Sequence, residues 1–171
     1  MYRLLCPEFI VESLFSIDFE QLKKREIKGI IFDLDNTIIP WDSLEMCPDI
    51  CTWLERVREY GFKVSIVSNN WHERVKKIAF RLNLPYVARA YKPASYGFRK
   101  ALAQMGLSAE ETAIVGDQLF TDVLGGNRIG LCTIWVKPLT DKEFIGTRLQ
   151  RYMERWVVKR LRGKGLLGKE D

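Results

Sequence analysis

Two aspartates one residue apart, Asp33 and Asp35, interrupt the stretch KGIIFDLDNTIIPW at residues 28–41. Apolar residues lead into them, so a buried strand would deliver two like charges to one place. Such a pair is unfavourable unless a counter-charge or a proton offsets it. Other short apolar runs end in polar groups too. KVSIVS (63–68) runs into Ser68, Asn69 and Asn70, Lys92 follows YVARA (86–90), and TAIVG (112–116) leads to Asp117 with Asp122 beyond. Carboxylates gathered from two strand ends suit a hard divalent cation; Mg2+ takes one or two carboxylates together with phosphate oxygens. Lys92 adds a fixed positive charge, and Ser68 and Asn69 add neutral donors. That set fits a phosphoryl group, whose transfer depends largely on positioning and charge stabilisation. His72 is the single histidine, and no Ser–His or Cys–His pair is conveniently placed. A carboxylate is then the attacking group, and it would form an acyl phosphate.

These residues meet only if the elements carrying them converge. IKGIIFDL (27–34), KVSIVS, TAIVG and LCTIWV (131–136) read as strands buried on both faces, with YVARA a shorter fifth. Between them, CPDICTWLERVREY, WHERVKKIAFRLN and SYGFRKALAQM space apolar residues by three and four, as amphipathic helices do. Gly61 and Gly106 mark two helix ends. Strand–helix alternation predicts an α/β fold of three layers, a parallel five-stranded sheet with helices on both faces. Ligands of such sheets sit beyond the carboxyl ends of the strands, where every polar group named above falls.

Bulk properties set the frame. A chain of 171 residues, 47% hydrophobic and 29% charged, suits one domain with a full core. No apolar run reaches the length of a membrane span. The start, MYRLLCPEFIVESLF, is broken by Pro7, Glu8 and Glu12 and shows no cleavage pattern, so no signal peptide and a cytoplasmic chain are expected. Residues 1–26 are expected to form a helical segment. Cys47 and Cys51 lack a second pair at zinc spacing, so Cys6, Cys47, Cys51 and Cys132 are read as free thiols. The charge is +5, and residues 148–171 hold all of it, eight basic against three acidic residues. The preceding body is neutral and shows no basic–aromatic groove, so no nucleic-acid partner is expected.

The segments DLDNT, VSNN, YKP and GDQLFTD resemble, in order, the four motifs of the haloacid dehalogenase-like (HAD) superfamily phosphatases. The wording around them (IIFDLDNTIIPWD, VSNNWHERV, GDQLFTDVLGGNRIG, KPLTDKEF) resembles the YqeG branch of subclass III, which includes the mitochondrial phosphatidylglycerophosphate phosphatases. The resemblance implies a Rossmann-like HAD hydrolase domain and a Mg2+ cofactor. It implies Asp33 as nucleophile and Asp35 as the acid that protonates the leaving alcohol and then activates water. Mg2+ would be held by Asp33, the main-chain carbonyl of Asp35 and Asp117, with Asp122 helping directly or through Lys92. Ser68 and Asn69, with Asn70 beside them, would hold the phosphoryl oxygens.

The spacing between motifs leaves no room for a cap domain, so the site is expected to be open, as suits a large or anchored substrate. The tail, 141–171, reads as a basic amphipathic helix. Over 148–162, Leu149, Tyr152, Met153, Trp156 and Val157 share one face, and Arg148, Arg151, Arg155, Lys159 and Arg162 the adjacent one. The helix meets an anionic membrane reversibly, a peripheral location, or packs its apolar face on the sheet, or does both. The substrate implied is phosphatidylglycerophosphate, a phosphorylated lipid. The residues leave open a phosphomonoester on a nucleic-acid end, a protein or a small metabolite, and a non-catalytic binding or assembly role. His72 and Trp41 stand near the motifs without an assigned part. GGN (125–127) is expected to permit close helix packing.

Overall fold

A computed structural model describes residues 2–140, 145–165 and 167. The strands are β1 (Phe9–Val11), β2 (Gly29–Phe32), β3 (Lys63–Val67), β4 (Tyr86–Val87), β5 (Thr112–Gly116) and β6 (Cys132–Val136). The helices are α1 (Phe19–Lys24), α2 (Pro48–Glu59), α3 (His72–Leu82), α4 (Ser95–Met105), α5 (Leu124–Ile129) and α6 (Ile145–Gly163). All pairings are parallel, in the order β1-β6-β5-β2-β3-β4.

β2 is buried at every residue because side chains alternate across its two faces and both are covered. Ile30 and Phe32 join the core under α2 and α3, with Trp53, Leu54, Val75 and Ile78. Ile31 joins the opposite core with Phe98, Ala101 and Met105 of α4. The predicted three-layer architecture is therefore present, and α2, α3 and α4 fall on the segments with helical period.

The sheet has six strands, not five. The addition is β1, which pairs along the edge of β6 with Ile10 opposite Trp135. The N-terminal segment is accordingly not simply helical: it runs through a 3-10 turn, β1, a second 3-10 turn and α1. Three residues after a proline, with a half-buried pattern, carry too little periodicity to be read as a strand. Helix α1 is capped where Asp18 accepts from Gln21 N at 3.0 Å.

Only a loop and α2 lie between β2 and β3, and only α3 and β4 lie between β3 and Lys92. No cap domain interrupts the described residues. Among them, no helix is long and apolar enough to cross a membrane.

Helix α6 divides the expectations made for the tail. Val157 and Leu161 are buried with Leu119 and Val123, and Glu154 is buried with Oε1 accepting from Phe120 N at 3.3 Å. Tyr152 and Trp156 remain 72% and 59% exposed, and Met153 is exposed beside them. One side packs on the body, so Val157 does not share an outward face with Trp156. Arg148, Leu149 and Arg151 lie outside the residues whose side chains are described.

Candidate functional site

The chain adds β3 and β4 on one side of β2, then returns to add β5 and β6 on the other. The crevice beyond the carboxyl end of β2 is the switch point where open α/β sheets hold ligands. Asp33 is the first residue past β2 and is anchored by its N–H donating to Val115 O at 2.9 Å. Its carboxylate is buried with those of Asp117 and Asp122, and one oxygen of each lies within 4.8 Å of the others. Lys92 is buried between them, donating from Nζ to Asp33 Oδ1 at 2.5 Å and to Asp122 Oδ1 at 2.6 Å.

Local structure brings Asp122 there. After Asp117 the backbone makes a π turn, Leu119–Val123, a device frequent at functional sites. Within it, Gln118 N donates to Asp122 Oδ2 at 3.1 Å. The carboxylate packs over Gly116, where an added Cβ would stand 2.3 Å from Asp122 Cγ. Asp117 is fixed by two contacts that the motif spacing did not suggest. Trp135 Nε1 donates to its carbonyl at 2.9 Å, and Thr37 Oγ1 donates to its Oδ1 at 3.4 Å.

Two of the three buried carboxylates, those of Asp33 and Asp122, share one ammonium. Burial raises the Asp33 carboxyl well above the usual range; Lys92 opposes this, while Asp122, Asp117 and Asp35 add to it. Burial would lower Lys92, yet the charges of Asp122 and Asp33 outweigh it and hold the ammonium above its ordinary value. This excess of negative charge, with oxygen donors converging, is the chemistry of a site for a hard divalent cation. Asp33, Asp117 and Asp122 have the donor type and closeness to hold one.

Asp35 faces elsewhere, and its carboxylate is not part of that cluster. It accepts from Asn70 Nδ2 at 3.0 Å and Ser68 Oγ at 3.4 Å. It also accepts from Arg74 Nε at 2.9 Å, a residue absent from the sequence-based candidates. Arg74 reaches further, donating to the carbonyls of Ser43 and Pro40, both at 2.9 Å. Arg74 lies in the first turn of α3, four residues after Asn70 in the bend that precedes the helix, and both side chains reach Asp35. That spacing was the only trace in the sequence.

Asn69 is engaged with Lys92. Its Oδ1 accepts from Lys92 N at 2.6 Å and its Nδ2 donates to Lys92 O at 3.0 Å, so its side chain clamps the main chain that carries the lysine. His72 is exposed at the start of α3, with its ring 5.5 Å from that of Tyr86 and outside the cluster. Trp41 is half-buried, with its N–H donating to Asn36 Oδ1 at 3.3 Å. The cysteines are free; Cys47 and Cys51 are exposed on α2 and its approach. The GGN segment does pack closely: a Cβ on Gly125 would lie 2.6 Å from Phe98, and one on Gly126 2.5 Å from Ile114.

A crevice at the switch point of an uncapped three-layer sheet, lined by Asp33, Asp35, Lys92, Asp117 and Asp122, defines a HAD-type hydrolase. Comparison with known proteins narrows this. A family described as HAD-hydrolase-like matches residues 90–143, and one described as mitochondrial PGP phosphatase matches residues 1–77. The probable phosphatase YqeG of Bacillus subtilis is 41% identical over 99% of this chain and 98% of its own. Phosphatidylglycerophosphate phosphatase 1 of Arabidopsis thaliana is 29% identical, covering 96% of this chain and 50% of its own. A HAD superfamily (subfamily III A) hydrolase from Legionella pneumophila has the same fold. Its TM-score is 0.53 at 16% identity, covering 86% of this chain and 91% of that one. The chain belongs to the YqeG family of HAD phosphatases.

Proposed function

We propose that the chain is a Mg2+-dependent phosphatase that removes the terminal phosphate of phosphatidylglycerophosphate at a membrane surface. The observation that carries the chemistry is the separation of the two aspartates. Asp33 lies in the acidic cluster against Lys92, and Asp35 turns to Ser68, Asn70 and Arg74. The substrate rests on the relatives named above and on the uncapped crevice, which admits a phosphate carried on a lipid.

In this reading an Asp33 carboxylate oxygen attacks phosphorus in line, and the bond to the leaving oxygen breaks. Asp35 gives that oxygen its proton, releasing the alcohol. Asp35 then takes a proton from water, which attacks phosphorus and breaks the bond to Asp33, releasing phosphate. Ser68 and the main chain at Asn69 and Asn70 orient the phosphoryl oxygens. Lys92 neutralises part of the charge that builds on them. Asp33, Asp117 and Asp122, with the main-chain carbonyl of Asp35, would hold Mg2+, which when bound supplies charge stabilisation to the transferring group.

Purified protein is expected to release phosphate from phosphatidylglycerophosphate in mixed micelles when Mg2+ is present. Asp33→Asn should reduce the rate by about 1,000-fold or more. Equal or better turnover of soluble sugar or nucleotide phosphates would sink the lipid assignment. The absence of phosphate release from any substrate class would sink the enzymatic one. Contact with the membrane would be peripheral and reversible, through the exposed part of α6.

A further inference from the structure

An apolar groove of about 460 Å³ opens along the loop that follows Asp35, and none of the acidic cluster lines it. Its size is that of a small-molecule site. Ile38 and Pro40 of the loop form one wall, Met46 and Ile50 at the start of α2 a second, and Phe15 and Leu139 the rim. Phe15 and Leu139 are 52% and 48% exposed. Glu45 is the single charged residue of the lining.

We propose that this groove holds a hydrocarbon chain of the lipid substrate while the phosphate lies at Asp33; this rests on the lipid-phosphate reading above.

The loop is a wall shared by groove and crevice. Asp35 and Ile39 form an isolated bridge, and Asn36 N donates to Ile39 O at 2.7 Å. Leu139 at the rim is tied to the same loop, its N–H donating to Asn36 O at 2.9 Å. Arg74 crosses from the Asp35 carboxylate to the carbonyls of Pro40 and Ser43. A ligand seated in the groove therefore touches the segment that leads directly from Asp35.

The chemistry of the wall favours hydrocarbon over peptide. An extended peptide needs main-chain partners along its groove. Here three carbonyls of the loop are already engaged: Arg74 takes Pro40 O and Ser43 O, and Arg81 Nη1 donates to Leu44 O at 2.7 Å. What the wall presents outward is apolar surface, which an alkyl chain covers without needing a hydrogen bond.

The chain's own methionines supply the test. Met46 lines the groove, Met105 is buried in the core beneath α4, and Met153 is exposed on α6. With methyl-labelled methionine, monomeric lysophosphatidylglycerols of increasing chain length should shift the Met46 signal saturably and leave Met105 and Met153 in place. Affinity should rise about fourfold for each added methylene until the groove is filled. Leu139→Asp should remove this chain-length dependence from both binding and lipid turnover. It should leave hydrolysis of a chainless aryl phosphate unchanged, which also shows that the variant is folded.

Phosphate release from the phospholipid with Met46 unmoved, or with Leu139→Asp retaining the chain-length preference, would overturn the groove and leave the phosphatase reading intact. A Met46 shift that follows protein concentration rather than lipid would assign the groove to a second copy and also overturn it. A saturable Met46 shift in a protein that releases no phosphate from phospholipid would support hydrocarbon binding and remove the substrate reading instead.

Discussion

Asp33 and Asp35 differ more in surroundings than their spacing suggests, and each makes a separate prediction. Burial and the charges of Asp122, Asp117 and Asp35 raise the Asp33 carboxyl despite Lys92. A carboxyl raised in the folded state binds protons that the unfolded chain has lost, so its contribution to stability falls as pH rises above the ordinary aspartate range. Without divalent cation, Asp33→Asn is therefore expected to melt higher than the unmodified protein at neutral pH. The difference should shrink as pH falls toward 4, and added Mg2+ should raise the unmodified protein more than the variant. Melting curves in chelator and in Mg2+ at three pH values decide this; a variant that melts lower throughout contradicts the electrostatic account. Around Asp35 the prediction concerns Arg74, which orients the proposed acid. Arg74→Met should lower kcat by roughly 10- to 100-fold on alkyl phosphates, the scale of a small misplacement of a reacting group. An aryl phosphate, whose leaving group needs little proton donation, should be nearly spared, and Arg74→Lys should recover part of the loss. An equal loss on both substrates would make Arg74 a merely structural residue. Asp33, Asp35 and Asp117 were legible as a constellation because each stands just past a strand end and parallel strands align their ends, and Lys92 and Asp122 follow within the loop or turn after theirs. Arg74, Thr37 and Trp135 were not, because their partners lie 39, 80 and 18 residues away. Only the folded geometry gives such distances.

Elements explain why the positions are so exacting. β5 ends at Gly116, and the π turn folds Asp122 back over it. A methyl group at residue 116 would stand 2.3 Å from the Asp122 carboxylate, so either the carboxylate or the strand end must shift. Overpacking of this kind costs about 1–3 kcal/mol, or roughly 2–12 °C in melting temperature for a chain of this size. Gly116→Ala should also weaken Mg2+ binding, measured calorimetrically on the folded variant. Unchanged metal affinity would show that Asp122 is not a ligand and acts only through Lys92. The sheet was readable where its strands are buried on both faces, as in GIIF and TAIVG, since continuous apolar runs carry the signal. β1 was not, because an edge strand of three half-exposed residues owes its existence to the pairing with β6. Helix α6 was legible as a helix but not in its rotation. Glu154 is buried where a sequence pattern assigns a charge to solvent, because its carboxylate accepts from the main chain at Phe120.

At the scale of the whole molecule, charge and apolar exposure are unevenly placed, and α6 collects both. The body preceding residue 148 is neutral. On α6, Tyr152, Met153 and Trp156 are exposed alongside Arg155, Lys159, Arg160 and Arg162, with Arg160 stacked 5.5 Å from the centre of the Trp156 ring. Val157 and Leu161 are buried against the body, so the helix has a docked side independent of the exposed one. Aromatic rings beside basic residues suit the interface of an anionic bilayer, where rings enter the headgroup layer and cations meet phosphate. Such binding is expected to be strongest on phosphatidylglycerol vesicles, weak on neutral ones, and diminished by salt as the screening length shortens. Each basic residue near the surface contributes about 1 kcal/mol, so replacing Arg155 and Lys159 together by Gln should weaken vesicle binding roughly 25-fold. Trp156→Ser should weaken it further without lowering the melting temperature, since the side chain is outside the core. Turnover of lipid on vesicles should fall in parallel, while turnover of a soluble aryl phosphate stays constant. Cosedimentation with vesicles, read beside both activities, tests the two halves of the claim. Unchanged partitioning of the triple variant would leave the outer face of α6 without a membrane role and would return the anchoring of the substrate to the crevice and its neighbouring groove.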